Sequence, residues 1–112
     1  MSRLAAIGCA AAAALVLSAC GKPVPAEKAA YVGEWRSQNM TLAISQEGRV
    51  AYKRVSGSST TSVDGPLQRF EGDNFVVGFA FLSTTFAVSK APYQDGRHWK
   101  MVVDGVELTK AE

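Results

Sequence analysis

His98 is the single histidine of the 112-residue chain and the side chain best suited to general acid or base chemistry. Beside a serine hydroxyl, its imidazole could activate a nucleophile. From His98 to Val103, however, apolar residues occupy every second position, so the strand period of two predicts that they face the core and His98 faces solvent. No titratable pair is spaced for acid and base roles, and we therefore predict no catalytic residues and a non-enzymatic protein.

The spacing of the carboxylates and thiols is not typical of a metal site either. Glu71, Asp73 and Asn74 could offer oxygen ligands to calcium, but the same residue types are typical of a tight turn. The two cysteines, Cys9 and Cys20, both lie near the N-terminus, so the rest of the sequence lacks a thiol nucleophile, a disulfide and a thiolate zinc site. We predict no metal and no cofactor.

The N-terminal segment has the composition of an export signal. Arg3 precedes an apolar stretch from Leu4 to Leu17, and two small residues follow before Cys20. A stretch of about fourteen residues is too short to cross a bilayer as a helix, which needs roughly 20. We predict that residues 1–19 are a cleaved signal peptide.

The sequence Leu17-Ser18-Ala19-Cys20 resembles the lipobox of bacterial lipoproteins. The resemblance implies that the Cys20 thiol receives a diacylglycerol, that the signal is cut before Cys20, and that the new amino group is acylated. Several acyl chains make a near-permanent anchor, because each buried methylene contributes about 0.8 kcal/mol. Gly21 in the second mature position, rather than aspartate, implies the outer membrane by the sorting rule of Gram-negative lipoproteins.

The segment after Cys20 is predicted to be a flexible tether over residues 20–30, because it holds two prolines and three charged residues with little to bury. Residues 31–112 are then expected to form a single β-domain. Loss of Arg3 with the signal leaves eleven of the twelve basic side chains against ten acidic ones. This balance indicates no nucleic-acid partner.

The remaining sequence is typical of β-structure. The predicted strands cover residues 31–36, 40–45, 50–55, 61–63, 67–70, 74–78, 83–88, 98–103 and 106–109. Turns or loops are predicted at residues 46–49, 56–61, 64–66, 71–73, 91–96 and 104–105. Eight or nine short strands at close spacing predict an all-β fold, either a small antiparallel barrel or a sandwich.

Gly33-Glu34-Trp35 resembles the Gly-x-Trp motif at the start of the first lipocalin strand. The resemblance implies that Trp35 closes one end of a barrel. The chain is also similar in size and compartment to the small lipid-anchored inhibitors of C-type lysozyme, which are compact β-barrels. A domain of this size must bury most of its large apolar residues, so we expect Trp35 and Trp99 to be core residues.

Phe79, Phe81 and Leu82 belong to an apolar run that begins at Phe75. The run could be a strand buried on both faces. A small barrel, however, hides only one face of each strand, and some of these side chains could then be exposed at its mouth. There they would line an apolar pocket or dock onto a partner.

These features favour a lipid-anchored, non-enzymatic β-domain on the periplasmic side of the outer membrane that binds an envelope protein partner. Phe79, Phe81 and Leu82 are the candidate binding surface. Two alternatives stay open: capture of a small apolar ligand in a lipocalin-like pocket, and a role similar to that of the lysozyme inhibitors. A contiguous exposed patch would favour a partner, whereas an enclosed cavity of a few hundred Å³ would favour a ligand.

Overall fold

The structure is a computed structural model that describes residues 21–79 and 81–111, and it is all-β, as predicted. One short 3-10 helix (Ala26–Tyr31) precedes nine strands. The strands are β1 (Gly33–Arg36), β2 (Met40–Ile44), β3 (Arg49–Ser56), β4 (Ser59–Glu71), β5 (Asn74–Phe79), β6 (Leu82–Phe86), β7 (Val88–Asp95), β8 (His98–Val103) and β9 (Val106–Lys110). The predicted signal peptide and Cys20 lie outside the described residues.

The nine strands form one antiparallel sheet in the order β6-β5-β4-β3-β2-β1-β9-β8-β7, and the sheet curls into a half-barrel. Because β9 pairs with β1, the consecutive strands β6 and β7 become opposite edges of the sheet. Only Ala87 separates them, and its carbonyl oxygen accepts a hydrogen bond from the Asp104 amide. Among the described residues no ladder joins the two edges, so the barrel stays open.

The core forms on the concave face because apolar residues in neighbouring strands are in register. Trp35 pairs with Leu42, and Leu42 pairs with Tyr52, so all three side chains share one face and all are buried. On the other side of the half-barrel Phe75 pairs with Phe86, and their rings stack with centroids 5.0 Å apart. Met101, Val103 and Leu108 complete the core from β8 and β9.

Two segments predicted to be a turn or a loop belong to strands in the structure. β4 continues through the predicted turn at residues 64–66, because β3 pairs with it as far as Arg49 opposite Pro66. The Arg49 guanidinium also lies 2.8 Å from the Asp64 carboxylate. β7 likewise runs through most of the predicted loop at residues 91–96, where Pro92 is tolerated because β7 is an edge strand. The predicted loop at residues 56–61 is reduced to the tight tip of the β3–β4 hairpin.

The described part of the predicted tether packs against the sheet, which corrects the flexible segment expected there. Val24 is buried, and its amide donates to the Gln46 carbonyl oxygen while the Gln46 side chain donates to the Val24 carbonyl oxygen, both at 2.9 Å. Gly21 forms a parallel bridge with Leu67. The backbone of this polar-looking segment is therefore held by hydrogen bonds that its composition does not reveal.

Candidate functional site

Among the residues that could offer catalytic or metal-binding groups, Glu71 and Asn74 make contacts within the sheet. His98 is exposed at the start of β8, opposite Asp95. Within the described ranges, no group of three or more histidine, cysteine or acidic side chains is placed to hold a metal ion. Asn74 accepts a hydrogen bond from the Val88 amide at 2.7 Å, and Glu71 pairs with Arg69. The predicted turn at residues 71–73 forms the connection between β4 and β5.

Trp35 is fully buried, as predicted. Trp99 is half-buried and packs against the edge of the core. Between the two indoles lies Lys110, whose Nζ is 4.9 Å from the ring centroid of Trp35 and 5.6 Å from that of Trp99. Burial lowers the pKa of Lys110, and its Nζ donates to the Ala30 carbonyl oxygen at 2.7 Å.

The sequence analysis did not identify Lys110 as a core-facing residue, although its position in β9 indicates this. It lies two residues after the buried Leu108 in β9, so strand alternation places it on the core face. A lysine can occupy such a position because its aliphatic stem packs on apolar surface while the ammonium reaches a polar partner. Here the partner is a backbone carbonyl and the surroundings are aromatic rings.

Phe79, Phe81 and Leu82, hereafter the apolar tip, are exposed at the end of the β5–β6 hairpin. Their exposed fractions are 69%, 89% and 72%, so most of each side chain contacts solvent. Phe79 pairs directly with Leu82 across the hairpin. The tip is therefore one contiguous apolar surface rather than a set of scattered residues, which makes it a candidate interaction site.

The apolar tip extends the core face of the hairpin beyond the core itself. Along β5, strand alternation places Phe75, Val77 and Phe79 on one face, and the first two are buried. Cross-strand pairing adds Phe86 and Leu82 to the same face, with Phe86 buried. The apolar face of the hairpin therefore extends beyond the part that other side chains of the core cover.

The β5–β6 hairpin is uncharged and tightly paired. Residues 74–89 contain no charged side chain. Gly78 has a φ of 132°, and a Cβ at this position would overlap the Leu82 carbonyl oxygen. Glycine is therefore needed for the close approach of β5 and β6 just below the tip.

β6 also has a free edge. Among the described strands it pairs only with β5. The other edge strand, β7, carries Lys90, Pro92 and two register shifts, which are features that discourage pairing with another chain. β6 has a continuous register and neither a proline nor a charge, and Ser83, Thr84 and Thr85 are exposed. Its backbone can therefore accept an additional strand.

A cleft of about 320 Å³ lies over β1, β2 and β3. Its floor follows the cross-strand row Glu34, Ala43 and Ala51, which alternates with the buried row and so belongs to the convex face. The concave side is filled, because Trp35 and Met101 are fully buried.

No protein-family model, curated protein or solved structure matches the chain. Within residues 21–79 and 81–111, no helix has the length and apolar character needed to span a membrane.

Proposed function

We propose that the protein is a lipid-anchored, non-enzymatic β-domain of the bacterial envelope that binds an envelope protein partner through its β5–β6 hairpin. The observation that supports this most strongly is the outer edge of the hairpin: residues 74–89 are uncharged, and no described strand pairs with the side of β6 that faces away from β5. The anchor follows from the lipobox resemblance at Cys20. Gly21 favours the outer membrane, with the domain facing the periplasm.

The partner is expected to contribute an extended segment that pairs with β6. Strand addition to a free edge draws its affinity from main-chain hydrogen bonds, and the alternate side chains provide specificity. Ser83 and Thr85 lie on one face of β6, while Leu82 and Thr84 lie on the other. A membrane anchor would add to the apparent affinity, since it concentrates the domain beside proteins of the same membrane.

The test is photo-cross-linking in native membranes with a benzophenone side chain placed at Thr84. We expect a discrete cross-linked protein that is absent when the same probe replaces Val55, an exposed apolar residue of β3. Thr84→Lys should lower the yield of a cross-link formed from a probe at Thr85, because a charge on the edge opposes strand addition. Equal cross-linking patterns from Thr84 and Val55 would contradict the proposal.

The lipocalin-like alternative has less support, because the described interior is packed. No feature of the described residues specifically supports the lysozyme-inhibitor-like alternative. The free edge of β6 therefore favours binding of a protein partner over these two alternatives.

A further inference from the structure

We infer that the apolar tip docks on the lipid bilayer beside the acylated Cys20, so that two adjacent points fix the domain to the membrane. The inference rests on the proposed anchor at Cys20. It does not depend on the protein partner, which would be met along β6. Three observations support it: where Gly21 lies in the fold, which way its N-terminal side faces, and how small the tip is.

Gly21 lies beside the base of the tip. Gly21 bridges Leu67, and Leu67 pairs with Val77, two residues before Phe79. Gly21, Lys22 and Phe79 also line a single cleft of about 260 Å³. Because consecutive Cα atoms are about 3.8 Å apart, lipid attached to Cys20 would start within one residue of this cleft.

Strand direction places the N-terminal side of Gly21 at the same end as the tip. The bridge between Gly21 and Leu67 is parallel, so the Gly21 amide nitrogen faces towards Pro66. β5 is antiparallel to β4, so the residues after Val77 also advance towards Pro66 and end at Phe79. The point of attachment of Cys20 and the tip therefore share one end of this part of the sheet.

The segment that follows the anchor gives the domain little freedom to move away from the membrane. The Lys22 amide donates to the Leu67 carbonyl oxygen at 3.2 Å, and Val24 is 3% exposed. A membrane-anchored Cys20 would therefore hold the hairpin close to the headgroups. Lys22 is exposed beside the cleft, and its ammonium can pair with anionic headgroups.

The size of the tip favours a bilayer over a protein as its occupant. A stable protein interface buries about 800 Å² per partner and involves roughly 20–30 residues on each side. The tip offers only three large side chains, at the end of a hairpin in which Phe79 pairs with Leu82. Insertion into the acyl boundary needs only a small cluster of apolar side chains, and a cation at the headgroup level beside it is compatible with an anionic membrane surface.

The test uses the acylated, full-length mature protein in phosphatidylethanolamine–phosphatidylglycerol vesicles with brominated acyl chains. Phe81→Trp adds a tryptophan at the tip, and Val55→Trp is the matched control at an exposed site on β3. The wild-type emission from Trp35 and Trp99 is subtracted. We expect blue-shifted emission and quenching several-fold greater for Phe81→Trp than for Val55→Trp.

Equal quenching of the two variants, with both accessible to an aqueous quencher, would overturn the inference. Protection of Phe81→Trp in native membranes but not in vesicles would also overturn it, and would assign the tip to a protein partner. Release of the wild-type protein from the vesicles would instead contradict the proposed anchor. The two failures are therefore distinguishable.

Discussion

The indole Nε1 of Trp35 donates a hydrogen bond of 2.9 Å to the backbone carbonyl oxygen of Tyr31. The Tyr31 hydroxyl in turn donates to the Asp73 carbonyl oxygen at 2.8 Å, in the turn between β4 and β5. Two hydrogen bonds thus connect the first strand to the base of the β5–β6 hairpin. Tyr31, which precedes β1, therefore helps to position the β5–β6 hairpin although it lies more than 40 residues earlier in the chain.

Trp35→Ala is expected to lower the free energy of unfolding by about 3–5 kcal/mol, because it leaves a cavity in the core. Trp35→Phe keeps most of the volume but leaves the Tyr31 carbonyl without its indole donor, and should cost about 1–3 kcal/mol. Urea unfolding followed by circular dichroism measures both. Val55→Ala, at an exposed site, is the control and should change little. A wild-type midpoint for Trp35→Ala would show that Trp35 does not support the core.

Tyr31 should make stability fall at alkaline pH. Burial, and secondarily the Asp73 carboxylate, raise its pKa from 10.0 to about 12. Between these values the folded state keeps a proton that the unfolded state has lost, so the contribution of Tyr31 to stability is constant below about pH 10 and decreases between about pH 10 and pH 12. Tyr31→Phe should therefore flatten the decrease between pH 10 and pH 12. It should also cost about 1 kcal/mol at neutral pH, because the hydrogen bond to Asp73 is lost.

The measurement is urea unfolding of the wild type and Tyr31→Phe across this pH range. Phenolate absorbance provides an independent check, since Tyr31 is one of three tyrosines and should titrate late. Parallel stability curves for the two proteins would contradict the assignment.

Phe81→Ser should leave the melting temperature nearly unchanged, because 89% of this side chain is exposed. The same substitution at the buried Phe75, in the same hairpin, is the matched control. Phe75→Ser leaves a cavity and a stranded hydroxyl in the core and should cost several kcal/mol. Thermal denaturation compares the two. A large loss of stability in Phe81→Ser would mean that the tip packs against the domain.

Cys20→Ser should abolish acylation and the membrane partition of the mature form, leaving an uncleaved or soluble species. Fractionation and mass spectrometry of the N-terminus measure both effects. Ser18→Thr, a change that keeps Cys20, serves as a control that should still be acylated. A mature wild-type N-terminus elsewhere than at Cys20 would end the lipoprotein interpretation.

The sequence predicted the features that depend on residues close together along the chain. Alternation from His98 to Val103 correctly placed Met101 and Val103 in the core and His98 outside. Asp104-Gly105 correctly predicted the β8–β9 hairpin, and the burial of Trp35 followed from the small size of the domain. By contrast, Asp64-Gly65-Pro66 resembles a turn but lies within β4, since pairing with a distant strand outweighed local turn preference.

By itself, the sequence determined an all-β domain, because the period of its apolar residues depends only on neighbouring positions along the chain. Only the tertiary structure decided that Phe79 and Leu82 are exposed. Alternation places both on the core face, and their burial depends on whether other strands reach far enough to cover them. The same holds for the packing of Val24 and the pairing of Gly21 with Leu67, which bring Gly21 to the base of the apolar tip. These contacts join residues far apart in sequence, and no local pattern encodes them.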